Sequence, residues 1–427
     1  MQVFASRLHQ FVQTTWVWSI AMIGLVVFIF LELGIRNDLD IFLAASHGLF
    51  NGEAIYTITY FDGFHYYYSP LFATLIYPLL IFPPWGAKLI WIGLNIGLIY
   101  RIWQLIEQHL KADWFNASLR TLFAIFLGLV TLRFLKANVH LGQVTILLLW
   151  ASMESLFLIR RGNRLSGGIL LALAINIKIL PIVFWPYLLW RKEFKAFTLS
   201  LLTWGAMLIA PALWLGWDRQ STLIREWWEL VNPSQSAHLI DTSETSFHSL
   251  TTLLPTLLLE VDPDARALPV HRNFASLTPD QVHLVINLAR GFFILLTLWF
   301  LRTRPFRKSP SNAHTFWETS YLFLVIPLIF PHQQQYAFLF ALPAMGWIIY
   351  SWMENKIHTG KGPHLMAFIA LALIATAFNL SLWIGAFNAW YNHFKIVTWG
   401  ALLLVGLLMM YRPAKVCYFR RQELREK

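Results

Sequence analysis

Residues 167–190 read GGILLALAINIKILPIVFWPYLLW, an apolar stretch that is long enough to cross a bilayer once. Both flanks of this stretch are basic, with three such residues on each side: Arg160, Arg161, Arg164, Arg191, Lys192 and Lys195. Because Lys and Arg concentrate in cytoplasmic loops, a single crossing would leave one basic cluster on the outer side. The charge of Lys178 and the ring of Pro181 interrupt the middle of the stretch. They predict two short helices that enter the membrane and return to the same side.

Outward from this hairpin, further apolar segments predict a multi-pass membrane protein. The predicted spans are residues 16–35, 86–106, 119–135, 141–159, 196–217, 285–301, 317–331, 336–353, 365–385 and 394–411. The first segment has no small-residue cleavage site behind it, so we interpret it as a retained helix rather than a signal peptide. We expect one all-α membrane domain over residues 1–427, with about 10–12 transmembrane helices.

The composition agrees with a membrane protein and excludes other classes. Charged residues make up 13% of the chain, whereas soluble proteins average about 25%, so a soluble enzyme or a disordered chain is excluded. The net charge of +11 follows from cytoplasmic Lys and Arg, including the basic tail 412–427, and does not indicate nucleic acid. The single cysteine, Cys417, excludes a disulfide framework. No nucleotide-binding glycine loop or His-Glu-x-x-His motif is present, so neither a cofactor nor a metal is expected.

The distribution of charge predicts that both chain ends lie in the cytoplasm and that two long loops lie outside. The first loop, residues 36–85, carries four acids and Arg36 as its one Lys or Arg. Within it, residues 67–83 are too interrupted for a span and are interpreted as interfacial, because a span there would invert the side of every later segment. The second loop, residues 218–284, is also rich in acids. We therefore expect a cell-membrane protein whose functional side is extracytoplasmic.

Lys178 is the clearest chemical candidate, because a charge at membrane depth is costly and usually functional. Two short helices that meet there leave backbone groups that must face protein or a wet cavity, which suits a phosphate. The alternative is a lysine that extends to the headgroups. Asp38 and Asp40 follow the first span, where a partly buried carboxylate can act as a general base. Solvated loop charges are the alternative for these two acids.

Other polar residues cluster at the predicted outer ends of helices. Arg133 and Lys136 lie shortly before residues 141–143 (LGQ), and a basic pair on the outer side favours an anionic ligand such as a lipid phosphate. Residues 331–336 read PHQQQY, a polar turn whose histidine could bind a phosphate or orient a base. His248 in the second loop is a candidate on the acceptor side. Ordinary basic residues in a short loop and a hydrated connector are the alternatives for the first two clusters.

Several short motifs follow one another along residues 30–350. They are Asp38–Ala45 with Gly52 and Tyr56, Tyr68-Ser69-Pro70-Leu71-Phe72, Asn138 with Gly142-Gln143, Ser166-Gly167-Gly168 with Lys178, Pro181 and Arg191-Lys192, and Pro331-His332. In this order they resemble the DFxxYYxA…G…Y, Y-x-P-L, N…GQ, AG…K-x-x-P…RR and P-x-x-x-H patterns of glycosyltransferase family 87. Phe42 and Leu43 stand where the family often has two tyrosines, and Leu39 replaces its phenylalanine.

The resemblance implies a GT-C-like bundle whose first outer loop carries interfacial helices. It also implies an inverting transfer, in most members of mannose, from a polyprenyl-phosphate donor on the extracytoplasmic face. Asp38 then corresponds to the family's general base by its distance to Ala45. Lys178, Arg133 and His332 would hold the donor phosphate and offset the charge of the leaving group. The secondary candidates are Asp40, Tyr56, Tyr68, Lys136, Asn138, Gln143, Gln333 and His248.

The expected partners are a polyprenyl-phosphate sugar, a glycolipid or glycan acceptor and the lipid bilayer, with the chain acting as a monomer. Two other classes stay open. A secondary transporter also has broken helices and charge at the midplane, although the unusual polar residues here lie on one side. A lipid-linked-sugar flippase, ligase or polymerase is a closer alternative, but a ligase would concentrate its arginines in one late outer loop. Residues 218–284 contain four arginines among many acids: Arg219, Arg225, Arg266 and Arg272.

Overall fold

In the computed structural model, the regular secondary structure of the described residues is helical. The structure describes residues 1–232, 240, 245–260, 268–302, 305–360 and 362–413, without the side chain of Asp62. The α-helices are α1 (Gln2–Val12), α2 (Thr15–Leu33), α3 (Asp38–Asn51), α4 (Pro70–Ile76), α5 (Pro84–His109), α6 (Ala117–His140), α7 (Thr145–Arg160), α8 (Arg164–Ile177), α9 (Phe184–Trp190), α10 (Phe194–Ile209), α11 (Ala212–Leu215), α12 (Trp217–Val231), α13 (Leu250–Leu258), α14 (Pro279–Leu301), α15 (Asn312–Ile329), α16 (Leu342–Thr359), α17 (Leu365–Asn379), α18 (Asn388–His393) and α19 (Ile396–Met410). Most of the predicted basic tail 412–427 and parts of the predicted loop 218–284 lie outside the described residues.

Seven helical segments of the described chain are long and apolar enough to span a membrane: Thr15–Leu33, Pro84–His109, Ala117–His140, Phe194–Leu215, Pro279–Leu301, Gln335–Thr359 and Leu365–Leu382. An eighth span results if Gly385–His393 and Ile396–Met410, which are bent by 62°, cross together. The prediction of an all-α multi-pass protein is therefore confirmed. The number is smaller than the predicted total of about 10–12. The reason is that α7 has only 16 residues, α15 begins with a polar stretch, and the segment around Lys178 is broken.

The segment Gln335–Thr359 lies at the centre of the bundle, whereas α2 lies at its edge. In their apolar windows, 89% of the residues of Gln335–Thr359 are buried, against 6% for α2. The central segment begins as a 3₁₀ helix over Gln335–Ala341 and continues as α16, which packs against α6, α15 and α19. Helix α2 exposes apolar side chains on nearly all sides, which is typical of a helix that faces lipid.

The predicted hairpin over residues 167–190 is confirmed. Helix α8 ends at Ile177, Lys178 adopts extended backbone angles (φ −149°, ψ 129°), and a 3₁₀ turn at Leu180–Val183 leads into α9. The Nε atom of Arg164, at the start of α8, lies 2.8 Å from Oε2 of Glu193, just after α9. Both arms therefore begin and end at the same face, and Lys178 lies at the tip.

The glycine pair at the start of α8 explains how the hairpin packs between its neighbours α7 and α10. A Cβ atom on Gly167 would lie 2.8 Å from the carbonyl oxygen of Ser155 on α7. A Cβ atom on Gly168 would lie 3.0 Å from Cβ of Leu199 on α10. Since the first contact is closer than a Cβ atom tolerates and the second is tight, the two glycines allow α8 to lie close to both neighbouring helices.

The first predicted outer loop contains short helices, as expected. Asn37 caps α3 by accepting from the Leu39 amide, and Gly52 ends this helix in the left-handed region (φ 91°). Ser69 caps α4, and Pro70 occupies its first position, where the missing N–H costs nothing. The apolar faces of α3 and α4 pack against each other, so the loop forms an ordered layer over the bundle.

Candidate active site

The first turn of α3 is held against the turn between α6 and α7. The Asn37 side-chain amide donates to the His140 carbonyl at 3.1 Å, and the Asp38 amide donates to the Leu141 carbonyl at 3.1 Å. Gly142 makes this approach possible, because it has φ +64° and a Cβ atom there would lie 2.7 Å from Oδ1 of Asn37. The position of Asp38 is therefore determined by backbone contacts across more than 100 residues of chain.

The carboxylate of Asp38 lies among polar side chains from three other segments. The Gln143 amide donates to Oδ2 of Asp38, and the Tyr68 hydroxyl donates to Oε1 of Gln143 at 3.3 Å. The ammonium of Lys178 lies 5.5 Å from the Tyr68 ring centroid and interacts electrostatically with Asp38. Gln143 is buried, whereas Asp38 and Lys178 are half-buried. We call these four residues, Asp38, Tyr68, Gln143 and Lys178, the Asp38 group.

A second contact ties the hairpin to the first loop beside the Asp38 group. The Ser69 hydroxyl, which caps α4, donates to Oδ1 of Asn176 at 2.7 Å, and both residues are fully buried. Asn176 lies two residues before Lys178. The tip of the hairpin is thus positioned by the same loop that carries Tyr68.

Asp40 has a different environment from Asp38, although the two residues lie in one helical turn. Oδ2 of Asp40 accepts from the Asn37 amide at 2.8 Å and lies 3.1 Å from Nζ of Lys88. The Lys88 side chain is buried and also donates to the Ile35 carbonyl. Asp40 therefore stabilises the start of α3 through a capping box and an ion pair. Sequence reasoning did not identify Lys88, because an isolated lysine at the start of an apolar helix resembles an ordinary interfacial anchor.

Tyr56 and Phe42 both contact Tyr68, one of the four residues of the Asp38 group. The Tyr56 hydroxyl donates to the Tyr68 carbonyl at 2.8 Å. Burial raises the pKa of Tyr56 well above its usual 10, so its phenol stays protonated. The centroids of the Phe42 and Tyr68 rings lie 4.7 Å apart, and Phe42 is buried. The Phe42 side chain, on α3, therefore packs against the tyrosine ring.

Arg133 belongs to a second group of buried side chains. Its guanidinium lies 4.6 Å from the Tyr391 ring centroid, and its side chain is 6% exposed. In the described chain, Nη1 of Arg133 has no hydrogen-bond partner. His248 is fully buried with its ring 6.4 Å from Tyr391, and the charges of Lys395 and Arg133 act on it. We call Arg133, His248, Tyr391 and Lys395 the Arg133 group.

The Arg133 group combines a neutral histidine, His248, with a fully buried lysine, Lys395. Burial, with the positive charges of Lys395 and Arg133, holds the pKa of His248 well below its usual 6.5, so the imidazole is neutral. Lys395 is fully buried at the bend between α18 and α19, with φ 51°, and donates to the Thr245 carbonyl at 2.7 Å. Sequence reasoning missed Lys395. Lys395 lies at the beginning of the predicted apolar segment 394–411, shortly after Asn392 and His393, where a lysine resembles an ordinary interfacial anchor.

The remaining predicted residues lie around these two groups. Asn138 donates to the Tyr336 carbonyl at 2.9 Å, which joins α6 to the central helix. His332 has φ 55°, and its ring lies 5.3 Å from Phe247. The Gln333 carbonyl accepts from the His248 amide at 2.8 Å, so the polar turn packs against the second loop. Lys136 is exposed on α6.

The comparisons with known proteins agree with the sequence motifs. A family model described as glycosyltransferase family 87 matches residues 66–331, more than half of the chain. The chain therefore belongs to glycosyltransferase family 87, and it is a multi-pass membrane glycosyltransferase. The matched region includes Tyr68, Gln143 and Lys178 but begins after Asp38. No curated protein matches the chain.

Two solved structures are similar to this chain over most of its length. One is ArnT from Cupriavidus metallidurans in the apo state, with 14% identity, a TM-score of 0.36, and coverage of 93% of this chain and 77% of that chain. The other is ArnT from the same organism bound to undecaprenyl phosphate, with 15% identity, a TM-score of 0.37, and coverage of 93% and 78%.

Proposed function

We propose that this glycosyltransferase moves a hexose, with mannose as the first sugar to test, from a polyprenyl-phosphate donor to a lipid-linked or glycan acceptor with inversion. The observation that carries the proposal is the meeting of Asp38, Gln143 and Lys178 from three separate segments. A carboxylate held by an amide and placed beside a cation provides a base for the acceptor and a charge for the leaving phosphate. A donor whose polyprenyl chain lies in the bilayer would bring its phosphate to Asp38 and Lys178, if these two residues lie at the membrane interface.

In the proposed reaction, Asp38 accepts the proton of the acceptor hydroxyl as the hydroxyl oxygen attacks the anomeric carbon. The bond between that carbon and the phosphate oxygen breaks, and the phosphate leaves with the electron pair as polyprenyl phosphate. The attack comes from the face opposite the phosphate, so the anomeric configuration inverts. The hydrogen bond from Gln143 supports this role, because it restricts the carboxylate while the acceptor approaches.

Lys178 is the proposed contact of the donor phosphate at the Asp38 group. Its charge would stabilise the negative charge that develops on the leaving oxygen. We propose that two further residues bind the donor phosphate, or the part of the donor next to its lipid chain. Arg133 would do so from the Arg133 group, and His332 from the polar turn that adjoins it. The buried Nη1 of Arg133, which has no hydrogen-bond partner in the described chain, supports an anion there.

We further propose that the Asp38 group faces the extracytoplasmic side and that both termini are cytoplasmic. This orientation follows from the basic residues at the opposite face, where both arms of the hairpin end. In a functional variant with Cys417 replaced by serine, single cysteines at Asn51 or Gln334 should react with an impermeant reagent from outside the cell. A cysteine at Asn163 should react only after permeabilisation. Labelling of Asn163 from outside would reverse the proposed orientation.

The function is tested with purified full-length protein in detergent. We expect transfer from a polyprenyl-phosphate hexose to a glycolipid acceptor, with an anomeric configuration in the product opposite to that in the donor by NMR. A nucleotide sugar offered alone should give no product. Direct use of the nucleotide sugar, or retention of configuration, would contradict the proposal. A panel of sugars on the same lipid then identifies the donor.

A further inference from the structure

A cavity of about 340 Å³ opens at the face of the bundle opposite the Asp38 group. The end of α7, the end of α9 and the link between α14 and α15 form its walls. Helix α7 begins beside Gln143 and has 16 residues, so its far end lies about 24 Å from the Asp38 group. The cavity is therefore a separate place on the molecule. We call it the basic cavity, after Arg160, Arg161, Arg191 and Lys308 in its wall.

The charges around the basic cavity do not cancel. Glu193 in its wall pairs with Arg164 at 2.8 Å. Glu318, behind the wall, accepts from Nε of Arg191 at 3.0 Å and lies 2.8 Å from His314. Both carboxylates are thus already ion-paired. In the described part of the chain, three other wall cations have no carboxylate within ion-pair distance, although Glu318 and Glu193 act on the first of them through space: Arg160, Arg161 and Lys308.

The arginines of the basic cavity are ordered by neutral groups. Nη1 of Arg160 donates to Oγ1 of Thr315 at 2.7 Å and to the Ser309 carbonyl at 3.4 Å. The guanidinium of Arg161 lies 4.4 Å from the Phe157 ring centroid. Such contacts orient a guanidinium without neutralising its charge. Two oriented guanidinium groups and a lysine on one wall form a site for a multivalent oxyanion.

The rest of the wall is apolar and determines what kind of oxyanion fits. Leu156, Phe157, Ile159 and Leu188 line the same cavity as the cations. A basic pocket between membrane helices suits a phosphate carried on a lipid. We propose that the basic cavity binds a phosphate group, either of an anionic phospholipid or of free phosphate, at the base of the hairpin that carries Lys178.

The test uses delipidated full-length protein in detergent. Native mass spectrometry measures retention of phosphatidylglycerol and of phosphatidylcholine, and calorimetry measures binding of inorganic phosphate. The test variant is Arg161→Gln with Lys308→Gln. The control variant, Arg120→Gln with Lys356→Gln, removes the same charges from exposed positions outside the cavity. Thermal unfolding verifies that both variants fold, and Arg161→Lys retains the charge at one position.

We expect the test variant to bind phosphatidylglycerol about 30-fold more weakly than wild type, since each basic residue near an anionic headgroup contributes a factor of about five. The control variant should bind like wild type, Arg161→Lys should lose less than the test variant, and phosphatidylcholine should bind weakly. If inorganic phosphate binds with the same dependence and the lipid does not, the site takes free phosphate. Equal weakening in the test and control variants, equal binding of the two lipids, or binding of neither lipid nor phosphate would overturn the proposal.

Discussion

Replacing Asp38 by asparagine removes one proton acceptor and little else. The start of α3 is held by the Asn37 cap and by the backbone bond from Asp38 to Leu141, and neither uses the Asp38 side chain. An asparagine oxygen can still accept from Gln143. Loss of a general base lowers the rate by about 10²–10⁴-fold, equivalent to about 3–5 kcal/mol of transition-state stabilisation. We expect this loss in the turnover rate of Asp38→Asn, with thermal stability unchanged.

Donor binding separates this role from a structural one. Because the substitution removes a negative charge next to Lys178, affinity for a polyprenyl-phosphate sugar should stay equal or increase. Turnover is measured with labelled donor at saturating acceptor, and donor affinity by binding to the same preparation. The matched control is Asp40→Asn, which leaves Lys88 without its carboxylate and should lower the free energy of unfolding by about 1–3 kcal/mol with little effect on turnover. Wild-type turnover in Asp38→Asn, or a folded but inactive Asp40→Asn, would refute the assignment.

Three further substitutions test the surroundings of the site. Lys178→Gln should weaken donor binding about 10–100-fold, since a charged hydrogen bond to phosphate contributes about 1.5–3 kcal/mol, and Lys178→Arg should recover part of it; unchanged binding in both would remove Lys178 from the phosphate site. Gly142→Ala should lower turnover at least about tenfold while donor binding persists, because the Cβ atom of the new alanine would displace Asn37 and with it Asp38. Wild-type turnover in this variant would show that the turn can relax. Gly167→Ala should lower the free energy of unfolding by about 1–3 kcal/mol, whereas Gly205→Ala, with no neighbouring atom within 4 Å, should not; chemical or thermal unfolding of both distinguishes packing of the hairpin from a general effect of alanine.

Much of the site could be predicted because its signals are local. Lys178 was recognisable as a charge within an apolar stretch, and Gln143 by its place in a short motif. The partners of these residues were not recognisable in the same way. Arg133 was expected beside Lys178, but in the described chain its guanidinium lies over the Tyr391 ring and its backbone amide donates to Asn379, residues more than 240 positions away in sequence. We propose that the Arg133 group and the Asp38 group bind one donor phosphate together. Measurements of donor binding to variants of both groups test this proposal.

The sequence by itself determined the helical membrane class and the hairpin. Apolar length, the side on which basic residues lie, and a central charge followed by proline are properties of a short stretch, and they act wherever that stretch is placed. The tertiary structure alone decided the difference between Asp38 and Asp40. In an isolated turn these two carboxylates are equivalent in kind. They separate because α3 packs between α5, which supplies Lys88, and the α6–α7 turn, which supplies Gln143. Contacts between residues 48 and 105 positions apart depend on how helices pack, and no local pattern contains that information.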